Sequence, residues 1–206
     1  MKNIPEPADV TAIVLAAGLS SRMKDNKLLL PWGKVTVIEW VVSQLINAGL
    51  NHIIVVTGRD KEKVEELTSL PGILHIYNKR YTDGEMLHSL QCGIEALPLT
   101  AGAALVALGD QPQIEVRTIN CVMNAYQQSD AAKLVLPSFH NRRGHPWVVG
   151  RELWGEILDM EPPDNLRTFM NQHSSEIHYI VVDSDSILAD IDTPADYHDA
   201  VRSSSR

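Results

Sequence analysis

The sequence predicts an α/β fold: a mainly parallel sheet with helices on both faces. Short apolar runs of strand length alternate with longer segments of helical apolar spacing, and the breaks fall on Gly and Pro. The runs are nearly continuous, as strands buried on both faces are. Val10–Ala16 is the first strand. Val37–Ala48 follows as a helix, with apolar residues at Val37, Ile38, Val41, Val42, Leu45 and Ile46 and a stop at Gly49. His52–Thr57 is the second strand. Asp60–Leu70 is a charged helix ended by Pro71-Gly72. Ile73–Tyr77 is the third strand, Glu85–Leu97 a helix ended by Pro98, Ala103–Leu108 the fourth strand and Ile114–Gln128 a helix.

The last third is less regular. Lys133–Pro137 and His145–Val149 read as strands around a polar loop, Phe139–Gly144. Arg151–Met160 and Asn165–Gln172 read as helices on either side of Pro162-Pro163. Ile177–Val182 and Ile187–Ile191 read as short strands, Asp196–Val201 as a closing helix, and 202–206 as a frayed tail.

At 206 residues the chain is long enough for one domain with a substantial core. It is 44% hydrophobic and 21% charged, an ordinary balance for a soluble globular protein. A formal charge of -8 argues against a general nucleic-acid binder, which carries a basic face. The first residues lack a signal-peptide core, and no run approaches a membrane span. Cys92 and Cys121 lie far apart without metal-ligand spacing, so they read as buried or idle thiols in a reducing cytoplasm.

Chemistry enters where the first strand ends. Leu15-Ala16-Ala17-Gly18-Leu19-Ser20-Ser21-Arg22 is a small-residue loop closing on a cation, with Lys27 beyond it. Backbone N–H groups in such a loop can surround an anion, and Arg22 and Lys27 can neutralise it. The segment has neither the glycines of a dinucleotide loop nor the Gly-Lys-Ser/Thr of a P-loop. Read alone, it could equally be an ordinary connector.

Carboxylates supply the second clue. Gly109-Asp110-Gln111-Pro112 ends the fourth strand on Asp110, and Asp190-Ile191-Asp192 places two carboxylates at i and i+2, on one side of an extended segment. Each has a plainer reading: Asp110 as a cap or turn residue, Asp192 as the cap of a helix entered through Thr193-Pro194. Taken with the phosphate-type loop, the three offer hard oxygen ligands suited to Mg²⁺.

These residues, in this order, resemble the molybdenum cofactor guanylyl/cytidylyltransferase-like NTP transferases. The resemblance rests on Leu15-Ala16-Ala17-Gly18-x-Ser20-x-Arg22-Met23 with Lys27, and on Leu30-Pro31-Trp32. It continues through Asn78 with Gly84 and Ser89, Gly109-Asp110-x-Pro112, Gly144-His145-Pro146 and Asp190-x-Asp192-Thr193-Pro194. Ala16-Ala17-Gly18 and Pro31-Trp32 resemble the cytidylyl branch. One position departs from the pattern: Lys24 stands where the family has Gly after Arg-Met.

The resemblance implies the Rossmann-like sheet of nucleotide-diphospho-sugar transferases, with a nucleotide-binding half at about 10–110 and an acceptor-binding half at about 111–201. It implies a cytoplasmic, Mg²⁺-dependent enzyme that joins CTP to molybdopterin, releasing pyrophosphate and molybdopterin cytosine dinucleotide, with transient contact to an apo-molybdoenzyme. In that family Arg22, Lys27 and Asp110 would be catalytic. Leu15, Ala16, Ala17, Gly18, Ser20, Ser21, Gly84 and Ser89 would join them around the nucleotide. Gly144, His145 and Pro146 would face the acceptor, and Asp110, Asp190 and Asp192 would hold the metal. His145 reads equally well as a residue bonded within its own turn. Arg142-Arg143 could meet an anionic acceptor, but exposed basic pairs are more often simply solvated. The tryptophans read as packing residues, with Trp32 and Trp147 the two that adjoin family motifs. A sugar-phosphate acceptor, or a non-catalytic cofactor carrier, are the competing functions.

Overall fold

The computed structural model describes residues 9–23, 25–83, 86–129 and 131–204. Lys24 and Gly84 lie outside the described residues. Strand β1 (Asp9–Ala16) is buried after its first residue. A 3-10 turn (Lys27–Leu29) and a small hairpin of β2 (Pro31–Trp32) and β3 (Val35–Thr36) lead into helix α1 (Val37–Asn47). Thr36 starts that helix. Its hydroxyl accepts from the Glu39 N–H while the Glu39 carboxylate accepts from the Thr36 N–H.

The alternation continues through β4 (Ile53–Thr57), α2 (Lys61–Leu67), β5 (Ile73–Tyr77), α3 (Met86–Glu95), β6 (Ala101–Leu108) and α4 (Val116–Gln127). Beyond it come β7 (Leu134–Phe139), β8 (Arg142–Arg143), β9 (Trp147–Gly150), α5 (Trp154–Asp159), α6 (Leu166–Gln172), β10 (Ile177–Val181) and α7 (Pro194–Ser204).

The main sheet is eight-stranded, in the order β10-β7-β9-β6-β1-β4-β5, with β8 paired to β7. All neighbours along β6-β1-β4-β5 are parallel, as are β10 and β7; β9 runs antiparallel to both β6 and β7. Alternate residues of β1 feed two cores. Val10, Ala12, Val14 and Ala16 pack with Ile38, Val41, Val42 and Leu45 of α1 and with Ile119 and Val122 of α4. Ile13 and Leu15 pack with Leu87, Leu90 and Ile94 of α3, Ile157 of α5 and Phe169 of α6. Gly93 lets α3 lie against β1, since a Cβ there would stand 2.5 Å from Ile13 Cγ2. Among the described residues, no helix is long and apolar enough to cross a membrane.

Several expectations need correction. First, Ile187–Ile191 is not a strand. The Ser184 hydroxyl accepts from the Ser186 N–H and starts a 3-10 turn over Asp185–Leu188, followed by an irregular strap. The apolar residues reflect burial rather than sheet pairing. Ile187 is fully buried, and Ile191 packs in a small cluster with Trp32, Val37 and Ala200. Second, the polar loop 139–144 is a hairpin. His140 and Asn141 both have positive φ, 47° and 63°, the backbone a tight two-residue hairpin requires. Third, residues 202–204 belong to the closing helix, with the Arg202 guanidinium 2.5 Å from Asp199 Oδ1 one turn back, while 205–206 lie outside the described residues. Finally, Cys121 is exposed and Cys92 half-buried, so of the two readings for these thiols, buried or idle, burial does not apply to Cys121.

Candidate active site

β1 has β4 on one side and β6 on the other. The chain therefore turns away from this strand pair in both directions, and open parallel sheets bind ligands beyond the carboxyl ends of such strands. A cleft of about 520 Å³ opens there. Leu15, Ala16, Ala17, Gly18, Ser20, Ser21, Arg22 and Lys27 line it from the end of β1. Asp110 lines it from the end of β6, Ser89 from α3, and Asp190 and Asp192 from the strap. Leu19, Leu28, Tyr81, Met86 and Leu108 also line it, and sequence reasoning does not single them out. Tyr81 and Met86 carry no local signal, because only the packing of α3 against β1 brings that segment to the rim.

The loop after β1 is braced from behind. Ser20, and not Gly18, carries the positive φ, 50°. Its hydroxyl accepts from the Lys27 N–H at 3.3 Å. Buried Asn26 accepts from the Leu28 N–H and donates to Arg59 O and Asp60 Oδ2, both at 3.3 Å. The Arg59 guanidinium donates to Leu19 O at 3.0 Å. Asp60 makes no side-chain cap on α2, because its carboxylate serves this brace instead. Gly58 closes the floor: a Cβ there would stand 2.7 Å from Ala17 O and 2.8 Å from Tyr81 Cβ. Among the described residues, no protein acceptor takes the N–H groups of Gly18, Leu19, Ser20 or Ser21. Those donors are available to an anion.

The charged residues pair with one another. The Lys27 ammonium contacts Asp110 Oδ2 and lies 3.0 Å from Asp192 Oδ1, while Arg22 Nη1 lies 2.5 Å from Asp192 Oδ2. Burial alone would lower the Lys27 pKa, but the attraction of Asp110 and Asp192 outweighs it and holds the group above the ordinary lysine value. Asp190 stands apart and accepts from Gln111 Nε2 at 2.5 Å. Partial desolvation in the cleft raises its pKa above the ordinary carboxylate value; the neighbouring Asp110 and Asp192 add to that, against the Gln111 hydrogen bond and Lys27.

Neither capping reading describes the two outer carboxylates. The residue before α4 is Glu115, so Asp110 does not cap it. At the start of α7 the cap is reciprocal between Thr193 and Asp196: Asp196 accepts from the Thr193 N–H at 2.7 Å, and Thr193 Oγ1 accepts from the Asp196 N–H at 3.3 Å. Asp192 is left to face the cleft.

Other motif residues support the cleft from outside it. Buried Asn78 donates to Ser89 Oγ at 3.0 Å and accepts from the Arg80 N–H. His88 is buried beside Ser89, its Nδ1 3.9 Å from Asp83 Oδ2. Trp32, Trp147 and Trp154 are packed, and half-exposed Trp40 donates to Pro112 O, so no tryptophan lines the cleft.

Gly144, His145 and Pro146 do not line the cleft either. They form the entry to β9, whose Trp147 pairs with Val106 of β6. Continuing that register puts them at the same rim as Asp110. The His145 N–H donates to Ile187 O at 3.1 Å, so this segment supports the strap from beneath. Burial pushes the His145 imidazole down to about 4. The unfolded chain then binds a proton the folded one refuses, so stability contributed by neutral His145 is present above about pH 6.5 and lost as pH falls toward 4. Melting profiles across that window should show the fall in the native protein and a flatter profile in His145→Gln. Identical profiles would refute it.

Comparisons with known proteins give the family. The family model for the MobA-like NTP transferase domain matches residues 12–177. The molybdenum cofactor cytidylyltransferase of Escherichia coli (strain K12) is 28% identical over 191 residues, 91% of this chain and 93% of that protein. A nicotine blue oxidoreductase of Paenarthrobacter nicotinovorans is 27% identical over 190 residues, 89% of this chain and 92% of that protein. A nucleotidyl transferase from Methanothermobacter thermautotroptrophicus superposes with a TM-score of 0.81 at 26% identity, covering 94% of this chain and 96% of that one. With its phosphate-type loop and carboxylates meeting at the carboxyl ends of β1 and β6, the chain is a nucleotidyltransferase and belongs to the MobA-like NTP transferase family.

Proposed function

We propose that the protein transfers CMP from CTP to molybdopterin, giving molybdopterin cytosine dinucleotide and pyrophosphate. The observation that carries the reading is the joining, in one cleft, of open backbone donors, two cations and three carboxylates. The similarity to a molybdenum cofactor cytidylyltransferase over most of both chains favours this acceptor and base. Gly18–Ser21 N–H groups, Arg22 and Lys27 would hold the triphosphate and stabilise the departing pyrophosphate. The fixed loop would align the α-phosphorus for attack by the acceptor phosphate, so that catalysis rests on positioning and preset charge.

Asp110, Asp190 and Asp192 fit a divalent cation in donor chemistry, since Mg²⁺ takes one or two carboxylates together with phosphate oxygens. When bound, such a cation supplies positive charge between two anionic substrates.

The test is pyrophosphate release from each of the four NTPs, with and without purified molybdopterin. CTP with molybdopterin should exceed GTP by at least about tenfold in kcat/KM, about 1.4 kcal/mol in the barrier. A GTP preference overturns the base assignment. Release only with a sugar phosphate or another phosphorylated acceptor overturns the acceptor. Product binding without any release makes the protein a carrier.

A further inference from the structure

The residues assigned to phosphate and those assigned to metal are joined to each other. Lys27, its side chain largely buried, touches Asp110 and Asp192, and Arg22 holds the second oxygen of Asp192. Asp190 faces Gln111 instead of a cation. Among the described residues, no group of three or more His, Cys, Asp or Glu side chains is disposed to hold a metal. The Lys27 ammonium sits between Asp110 and Asp192, two of the carboxylates that would hold a divalent cation.

We infer that this cleft takes a divalent cation and a triphosphate only together, because Lys27 fills the metal's place until phosphate draws it away. The inference rests on reading the site as metal-assisted nucleotidyl transfer. As it stands, the two cations balance Asp110 and Asp192. A divalent cation arriving alone must expel Lys27 from both carboxylates, stranding an ammonium group beside it with no anion to receive it. A triphosphate arriving alone must pull Lys27 and Arg22 off the carboxylates, leaving Asp110 and Asp192 bare beside more negative charge. Arriving together, they exchange partners: the carboxylates pass to the metal and the cations to the phosphates. The exchange needs little movement of the backbone. Lys27 starts a 3-10 turn entered from Asn26, and its N–H is bonded to Ser20 of the phosphate-type loop. Rotation of the Lys27 side chain within the cleft would carry its ammonium from the carboxylates to a phosphate held on the open N–H groups of that loop. Metal and phosphate then raise each other's affinity by the same factor, as linkage requires.

The experiment titrates the nucleotide-free protein with Mn²⁺, read as loss of the free-ion paramagnetic signal, and uses inorganic tripolyphosphate as the anion probe. Lys27→Met keeps the length of the side chain and removes its charge. It should bind Mn²⁺ at least about tenfold more tightly than the native protein, and the gain should vanish in Lys27→Met/Asp192→Asn. Lys27→Arg should bind as weakly as the native protein. Native affinity for tripolyphosphate should rise at least about tenfold with saturating Mn²⁺, and by much less in Lys27→Met. Mn²⁺ affinity in Lys27→Met equal to or below the native value overturns the inference. So does an absence of coupling in the native protein, a reading that needs no variant. Neither titration involves a base, an acceptor or turnover. Failure of the proposed reaction therefore shows in the NTP assays, and failure of the exchange shows here.

Discussion

Asp110→Asn lowers turnover by about 10²–10³-fold, the range expected when one preset electrostatic group is lost, while the melting temperature stays nearly unchanged. The amide keeps the carboxylate's shape and loses the charge that a divalent cation and Lys27 both require. The local backbone does not depend on that side chain: Gly109 N–H donates to Leu15 O at 3.0 Å, and the Asp110 carbonyl accepts from the Ile191 N–H at 3.3 Å. Lys27 retains Asp192 as a partner, which holds the stability loss to about 1 kcal/mol. The loss of activity should come with a raised Mg²⁺ requirement. Steady-state rates across a Mg²⁺ series, beside a thermal melt, decide it. Full activity at ordinary Mg²⁺ would remove Asp110 from the mechanism.

Gly144→Ala is expected to lose stability and activity together. A Cβ at Gly144 would stand 2.3 Å from Ile187 O and 2.7 Å from Ile187 Cβ. The nearest atom is backbone, so no side-chain rotation relieves the contact. Overpacking of this kind costs about 1–3 kcal/mol. The strain falls on the turn that leads into the strap, so Asp190 and Asp192 shift and turnover falls with stability. Gly155 in α5 is the control, because a methyl group added there would meet nothing within 4 Å. Gly155→Ala should be neutral or stabilising by up to about 1 kcal/mol, because alanine is the better helix residue. Chemical denaturation of both variants tests the pair. Equal stability in the two would show that Gly144 is not a close-packed position.

The parallel half of the sheet was legible because β1, β4 and β6 are buried on both faces and spell out continuous apolar runs. Their ends announced the rim, and Arg22, Lys27, Asp110, Asp190 and Asp192 all line one cleft there. What local sequence did not show was set at a distance. The positive φ of the phosphate-type loop falls on Ser20 and has no local signature, because Asn26 and Arg59 hold the loop in that shape. The strap looked like a strand because Ile187 and Ile191 are apolar, but they are buried in different surroundings and pair with no strand. The hairpin turn went unseen because His140-Asn141 lacks the glycine that normally advertises positive φ. The pairing of Lys27 with Asp192 spans 165 positions, beyond the reach of any local pattern.

That span also governs when the site comes into being. Synthesis runs from the N-terminus, and a domain folds as a unit once it has emerged. Lys27 and Arg22 have no Asp192 to meet until the strap has been made. The loop after β1 and the carboxylate that completes its charge balance therefore come together only when sheet and strap are both present.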